Sequence, residues 1–332
     1  MTARPRVFVS RVIPDAGLDL LKQHCEVEVW PHDRPPTSQE LVLGCHNKEA
    51  LVCLLTEKVD GEFLAAVPGL KMVANVAVGF DNLDVAAATR AGVALSNTPG
   101  VLDETTADLA FALILASARR IVEADRLVRT GTWSGWGIMQ YLGHDVHHAT
   151  LGIVGLGRIG RALARRSAGF AMTLLYTDEA PAGPDVEKEL KARFVSMDEL
   201  LRTADFVSLH VPLTPQTRHL IDAAALRAMK PTAHLINTSR GPVVEEQALI
   251  DALAHGVIAG AGLDVYEHEP QISPDLIALP NVVLLPHIAS ASHATRGRMA
   301  EVAATNVIAF FNGEALPTPL NAQVLGARSA AN

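Results

Sequence analysis

The sequence predicts an α/β protein with doubly wound parallel sheets. Three observations predict it. Short apolar runs alternate with longer helical patterns along the whole chain. Several of those runs are continuously apolar instead of alternating, as ALVCLL at 50–55 is. A strand that is apolar on both faces needs helices over both, which is the parallel arrangement. One run also passes straight into a glycine-rich turn and a helix, the junction on which doubly wound folds are built.

In chain order, the first series of candidate strands occupies residues 7–10, 27–30, 50–55, 71–75 and 93–95. A long helical stretch follows. It starts at a cap near Asp103, runs for several turns through LAFALILASARRIVEADRLVR and breaks near Arg119 and Arg120. A loop interrupted by glycines, 131–143, carries Trp133, Trp136 and Tyr141. Two tryptophans in such a loop mark an arm that buries itself elsewhere, on a partner subunit or on its own chain; the sequence leaves both open. The second series of strands occupies 151–154, 172–176, 206–210, 234–237, 258–264 and 282–285. Two helical segments around 293–311 then lead back towards the first series. The expected division is therefore an inserted domain, 100–288, and a second domain made from both chain ends, 1–99 and 289–332.

Composition agrees and excludes alternatives. The chain has 332 residues, enough for two domains at roughly 150 residues each. It is 49 % apolar and 19 % charged, which argues against disorder. A net charge of −8 and an aromatic content of 5 % disfavour a nucleic-acid surface. The longest apolar stretch lies in 109–116, far short of the roughly 20 residues that cross a bilayer. Cys25, Cys45 and Cys53 form no C-x-x-C pair, and their odd number argues against a disulfide framework. They read as buried small hydrophobes. The opening segment MTARPRVFVSRVIPD has no signal-peptide core, so a cytoplasmic protein is expected.

The glycine-rich turn is Gly155-Leu156-Gly157-Arg158-Ile159-Gly160, preceded by the apolar run 151–154 and followed by an amphipathic helix. In that context G-x-G-x-x-G is a dinucleotide-binding fingerprint. Gly155 permits the tight turn, Gly157 lets a pyrophosphate approach, and Gly160 lets the helix close on the strand. The helix N-terminus supplies free amides. Asp178 ends the next strand, at the distance of about 20 residues where an acid accepts from the adenosine ribose. A carboxylate there repels a 2′-phosphate, and no Arg or Lys follows until Lys188. NAD(H) is expected in preference to NADP(H).

Three polar groups follow three successive later strands: Arg240 in TSRG, Glu269 in DVYEHEP, and His287 after Pro286. Open α/β sheets collect their chemistry at the carboxyl ends of strands, so these groups are expected on one rim. His287 suits acid/base work because an ordinary imidazole titrates near neutrality. Glu269 would hydrogen-bond that ring and keep it protonated. Arg240 offers a planar fork for a carboxylate and its neighbouring carbonyl. Together they describe hydride transfer to a 2-oxo acid. His144, His147 and His148 form HDVHH in a connecting segment with no cysteine nearby; a solvated loop is expected there, not a metal site. The arginines of the helix after Gly157 read as a solvated face.

With these motifs in hand, the chain resembles the D-isomer-specific 2-hydroxyacid dehydrogenases over essentially its whole length. The matching segments are NVAVGFDNLDV, SNTPGVLDETTADLAFALILA, LGIVGLGRIGRALARR, NTSRGPVVEEQAL, AGAGLDVYEHEP and NVVLLPHIASA. Within that family it is most similar to the glyoxylate/hydroxypyruvate reductases. The resemblance implies two doubly wound parallel-sheet domains, a Rossmann cofactor domain inserted into a flavodoxin-like substrate domain. Arg240, Glu269 and His287 fall on the family's catalytic residues. Val78 and Gly79 fall on the loop whose amides bind the substrate carboxylate, and Leu54 and Leu55 would lie near its side chain. Thr106, Arg158 and Ile159 fall on phosphate-binding positions. His210, Val211 and Pro212 would flank the adenine. Thr238, Ser239 and Asp264 would face the nicotinamide, with Asp264 on its carboxamide. A homodimer is also implied, through the cofactor domain and the tryptophan loop.

Departures from relatives narrow the substrate. NADPH-accepting relatives often carry Ser-Arg where this chain has Asp178-Glu179. Phosphite dehydrogenases carry Lys in place of Val78, and formate dehydrogenases carry Gln in place of Glu269. Phosphoglycerate dehydrogenases often append a regulatory domain, and none is expected here after the last helices. The resemblance thus implies NADH-dependent reduction of glyoxylate or hydroxypyruvate to the D-2-hydroxy acid. Two alternatives stand beside it: a reductase of bulkier 2-oxo acids, and an NADH-sensing interaction protein of the same fold. The latter tend to carry extended disordered tails, and none is expected here beyond 326–332.

Overall fold

The computed structural model describes residues 4–325. The expectation about a disordered tail concerns 326–332, which lie outside the described residues. The chain divides into two units. One is Met1–Leu102 with Ser290–Asn332, and the other is Asp103–Ala289.

The first unit holds five parallel strands: β1 (Arg6–Val9), β2 (Glu26–Val29), β3 (Ala50–Cys53), β4 (Met72–Asn75) and β5 (Ala94–Ser96). Their order is β2-β1-β3-β4-β5, the flavodoxin-like order. β3 and β4 are buried at every position, as continuous apolar runs require, whereas the edge strand β2 is nowhere fully buried. Successive side chains point to opposite faces and build two cores. Val7, Val9, Val52 and Ala74 meet Ala300, Ala303 and Val307 on one side. Phe8, Leu51, Cys53 and Val73 meet Phe63, Leu64 and Leu95 on the other. A single helix, His293–Asn312, spans the range where two segments are expected. A mid-helix glycine costs only about 1 kcal/mol. The buried face of Met299, Ala300, Ala303, Ala304 and Val307 carries the helix past Gly297.

The second unit holds seven parallel strands: β6 (Thr150–Val154), β7 (Thr173–Thr177), β8 (Ala192–Phe194), β9 (Phe206–Leu209), β10 (His234–Asn237), β11 (Gly260–Leu263) and β12 (Val282–Leu284). Their order is β12-β11-β10-β9-β6-β7-β8, the Rossmann order with one extra strand. β8 is not foreseen from sequence. Only Ala192 of this edge strand is buried, so it leaves no apolar signature. The long helical stretch divides into Asp103–Ala118 and Ile121–Arg129. The break falls at Arg120, which adopts the left-handed conformation with φ 53°.

Two expectations about surfaces need refinement. The arginines after Gly157 are not merely solvated. Arg165 and Arg166 each bond Glu104 at 2.8 Å, and Arg166 also bonds Asp108, so they brace the Arg158–Ser167 helix against Asp103–Ala118. The tryptophan arm does not bury itself on its own chain. Trp133 is 54 % and Trp136 80 % exposed, with Ile138, Met139 and Leu142 also exposed. The neighbouring Ile121–Arg129 helix has no buried residue. Cys25, Cys45 and Cys53 are buried free thiols. No helix of the described residues is long and apolar enough to cross a membrane.

Candidate active site

In the second unit, strand order reverses between β6 and β9, and the glycine-rich turn sits at that reversal. Gly155 takes φ 93°, and a Cβ there would lie 2.9 Å from the His210 carbonyl. No other residue fits both the angle and the approach. A Cβ on Gly160 would lie 2.2 Å from the Gly155 oxygen, so the helix closes on the strand only through glycine. Gly157 caps the Arg158–Ser167 helix, and a Cβ there would meet nothing within 4 Å. That open face beside the free amides of Arg158 and Ile159 leaves room for a pyrophosphate.

The surrounding residues complete a dinucleotide surface. Thr106 is buried in the Asp103–Ala118 helix. Asp178 is exposed; one of its oxygens accepts from the Leu156 amide at 2.8 Å and the other from the Glu179 amide at 2.8 Å. The acid is thereby tied to the glycine turn. His210, Val211 and Pro212 follow β9. Burial pushes the His210 imidazole down to about 4, so it is neutral, and its Nε2 pairs with the Ser208 hydroxyl at 2.8 Å. Thr238, 8 % exposed at the carboxyl end of β10, has a hydroxyl with no partner among the described residues. An orphaned buried hydroxyl at the strand ends, with the open face at Gly157, fits a bound nicotinamide dinucleotide.

Arg240, Glu269 and His287 follow β10, β11 and β12, which are neighbours in the sheet. Asn237 shapes the first turn. Its Oδ1 accepts from the Ser239 amide at 3.0 Å and hydroxyl at 2.8 Å, and its Nδ2 donates to the Arg240 carbonyl at 3.0 Å. Arg240 itself is half-buried and donates from one guanidinium nitrogen to the Ser239 carbonyl at 2.9 Å. A Cβ on Gly241 would lie 1.8 Å from the Tyr266 oxygen. The Arg240 turn therefore lies directly against the backbone that leads to Glu269.

Glu269 divides its carboxylate between two duties. Oε1 accepts from the Tyr266 amide at 3.0 Å, and Oε2 accepts from His287 Nδ1 at 2.8 Å. Burial pushes this carboxyl up. The His287 hydrogen bond and charge, the Tyr266 amide and the Arg240 charge outweigh burial and hold it below its ordinary value. With Nδ1 committed, Nε2 is the ring nitrogen left for chemistry. His287 takes φ 54°, an uncommon angle for a non-glycine residue, and such outliers cluster at functional sites. Asp264 holds it there. The Asp264 carbonyl accepts the His287 amide at 2.9 Å, and its fully buried carboxylate accepts the Ile288 and Ala289 amides at 2.8 Å each. A carboxamide contact at Asp264 would have to use lone pairs that these amides leave.

In the first unit, Leu54 and Leu55 follow β3, while Val78 and Gly79 follow β4. The amides of Val78 and Gly79 have no hydrogen-bond partner among the described residues. The HDVHH segment differs from expectation in one residue. His147 and His148 are exposed, but His144 Nδ1 pairs with Nε2 of the buried His234 at 3.0 Å. Among the described residues no three His, Cys, Asp or Glu side chains form a metal-sized cluster. The bracing roles of Asn237 and Asp264 are not legible in the sequence. An asparagine or aspartate closing an apolar strand is the available signal, and it does not specify a partner.

Residues 111–289 match the family model described as D-isomer specific 2-hydroxyacid dehydrogenase, NAD binding domain. A glyoxylate reductase of Korarchaeum cryptofilum is 54 % identical, over 98 % of this chain and 98 % of that one. A crystal structure of a Thermus thermophilus protein is 43 % identical with a TM-score of 0.89, covering 95 % of this chain and 99 % of that one. An NADPH-dependent glyoxylate/hydroxypyruvate reductase of Sinorhizobium meliloti, in complex with NADP and malonate, is 33 % identical with a TM-score of 0.86, covering 96 % and 97 %.

Proposed function

The chain belongs to the D-isomer-specific 2-hydroxyacid dehydrogenases, and from that premise we propose that this oxidoreductase uses NADH to reduce glyoxylate or hydroxypyruvate to the D-2-hydroxy acid. The observation that carries the reading is the His287–Glu269 pair at 2.8 Å, on the turns after β12 and β11 that follow that of Arg240 across the sheet carrying the dinucleotide turn. The similarity to the Korarchaeum glyoxylate reductase supports the choice of substrate.

When bound, the nicotinamide supplies the hydride. Gly155, Gly157, Gly160, Arg158, Ile159 and Thr106 hold the pyrophosphate, Asp178 the ribose, and His210, Val211 and Pro212 the adenine. Thr238 and Ser239 serve the nicotinamide side, and Asp264 serves it chiefly through the turn it holds. Arg240 orients the substrate's carboxylate and polarises its carbonyl. The amides of Val78 and Gly79 take the carboxylate, and Leu54 and Leu55 limit the side chain. His287 Nε2 gives its proton to the carbonyl oxygen, while Glu269 holds Nδ1 and offsets the ring's charge. We thus assign 100–288 to the cofactor, and 1–99 with 289–332 to the substrate.

Two adjacent acids, Asp178 and Glu179, support NADH over NADPH, because a 2′-phosphate would meet like charge. The Sinorhizobium relative is NADPH-dependent, so this preference belongs to the residues and not to the family. The exposed apolar arm around Trp133 and Trp136 supports a homodimer. Three cysteines left as free thiols support a cytoplasmic location. The test is a grid of initial rates, NADH and NADPH against glyoxylate, hydroxypyruvate, pyruvate and phenylpyruvate. The expected maximum is NADH with one of the two small substrates. Equal rates with NADPH sink the role of Asp178. A maximum at phenylpyruvate replaces the substrate class, and no turnover of any acid leaves the NADH-sensing reading.

A further inference from the structure

We propose that Asn75, Asn82 and Glu57 form a positioning network that locks the two substrate loops of the five-stranded unit to each other and so sets selectivity for small 2-oxo acids. This rests on the reading above, in which those loops touch substrate.

In the five-stranded sheet the strand order reverses between β1 and β3. Open sheets bind ligands outside the carboxyl ends of strands at such a reversal. Ser10 follows β1, Leu54 follows β3, and Val78 follows β4, so these three loops bound that place.

The hydrogen bonds make one chain. Leu54 is held by both of its backbone groups. Its amide donates to Glu57 Oε2 at 2.7 Å, and its carbonyl accepts from Asn82 Nδ2 at 3.1 Å. Asn82 Nδ2 also reaches the Glu57 carbonyl at 2.9 Å. Asn75 Nδ2 donates to Asn82 Oδ1 at 3.2 Å and to the Gly79 carbonyl at 3.0 Å. The Glu57 carboxyl group is completed by the Ser10 hydroxyl at 2.6 Å and the Thr56 hydroxyl at 2.6 Å. Leu54 and Gly79 are thus joined through two asparagine side chains.

Peptide geometry turns this anchoring into a function. In a trans peptide the C=O and the following N–H point in opposite directions. The Ala77 carbonyl accepts the Thr98 amide at 2.9 Å, and the Val78 carbonyl accepts Asn97 Nδ2 at 2.7 Å. With those carbonyls turned into the unit, the amides of Val78 and Gly79 are turned out of it, and neither has a partner among the described residues. Consecutive outward amides make an anion site. Asn75 fixes the far end of that loop, and Asn82 fixes its offset from Leu54. The distance between the carboxylate-binding amides and the side-chain wall then limits how large a 2-oxo acid fits. Ser10 and Asn75 are 0 % and Glu57 2 % exposed, and buried polar groups are costly to keep unless satisfied, as these are.

The test measures glyoxylate and phenylpyruvate kinetics with NADH in Asn82→Asp, which keeps the shape and removes both donors, and in Glu57→Gln. Amides that grip the carboxylate equally before and during reaction act on KM. The KM for glyoxylate should rise about tenfold in Asn82→Asp, with kcat within about threefold and the KM for NADH unchanged. Phenylpyruvate should gain relative to glyoxylate in kcat/KM. Glu57→Gln should show the same pattern more weakly, and it decides the matter if Asn82→Asp does not fold. A glyoxylate KM within about twofold of wild type in a folded variant overturns the proposal. So does a joint fall of kcat, both affinities and the thermal midpoint, which marks mere support of the fold. Wild-type turnover of glyoxylate alongside either failure leaves the parent reading standing. A wild type inert towards all small 2-oxo acids ends both.

Discussion

His287 and His234 belong to the same unit, and each has a ring nitrogen within hydrogen-bond distance of a polar partner, yet they are opposites. His287 lies beyond the carboxyl end of β12, partly exposed, with Nδ1 on a carboxylate at 2.8 Å and no partner for Nε2 among the described residues. His234 opens β10 at the other end of the sheet, 4 % exposed. Its Nδ1 meets the Ser117 hydroxyl at 2.7 Å, its Nε2 meets His144 at 3.0 Å, and its ring stacks on Phe206. Burial, with the His144 charge, pushes it down to about 4. A useful imidazole needs a free nitrogen, an anionic partner and a position where loops admit a ligand. A buried imidazole with both nitrogens engaged is a structural strut.

The comparison breaks most sharply at kcat. His287→Ala should lower it about 10²–10⁴-fold in stopped or steady-state assays, with the thermal midpoint little changed. His234→Ala should do the reverse: kcat within a few-fold, and a loss of about 1–3 kcal/mol in urea unfolding. If both variants lose activity equally, the distinction between the two ends of the sheet is wrong.

Smaller effects sharpen it. Glu269→Gln leaves His287 Nδ1 without its anionic partner, so kcat for glyoxylate should fall about tenfold with the KM for NADH unchanged. A kcat within about twofold of wild type separates Glu269 from the proton donor. The smallest effect is on stability. Between about 4 and the ordinary value near 6.5, the unfolded chain protonates His234 and the folded chain does not. Stability should therefore fall as pH drops through that window, by at most about 1.4 kcal/mol per pH unit from this residue. A His234→Gln chain should show a flatter decline. Glu269 works in a different window. Its lowered carboxyl contributes fully above the ordinary carboxylate value and loses that contribution only as pH falls through its depressed folded value.

Local demands are legible in the sequence. Gly155, Gly157 and Gly160 stand at fixed spacing because a turn, an approach and a packing contact each exclude a side chain, and these needs arise within a few residues. Apolar runs, continuous as in β3 or alternating as in β2, locate all the strands except β8, whose single buried residue leaves no pattern. Arg240, Glu269 and His287 are legible as strand-end residues. HDVHH misleads at His144 because its partner, His234, lies 90 positions away and looks like the start of an ordinary strand.

By itself, then, the sequence determined the two parallel sheets, the dinucleotide turn and the residue types gathered at the strand ends. Each of these depends on periodicity or on the conformational limits of a short segment. Tertiary structure alone decided which polar groups are consumed inside the protein and which remain for a ligand. Asp264 spends its carboxylate on the His287 turn, Asn82 spans from Leu54 to Asn75, and Gly241 meets Tyr266. A hydrogen bond is satisfied by whatever the fold brings within reach, and side-chain identity along the chain does not name that partner.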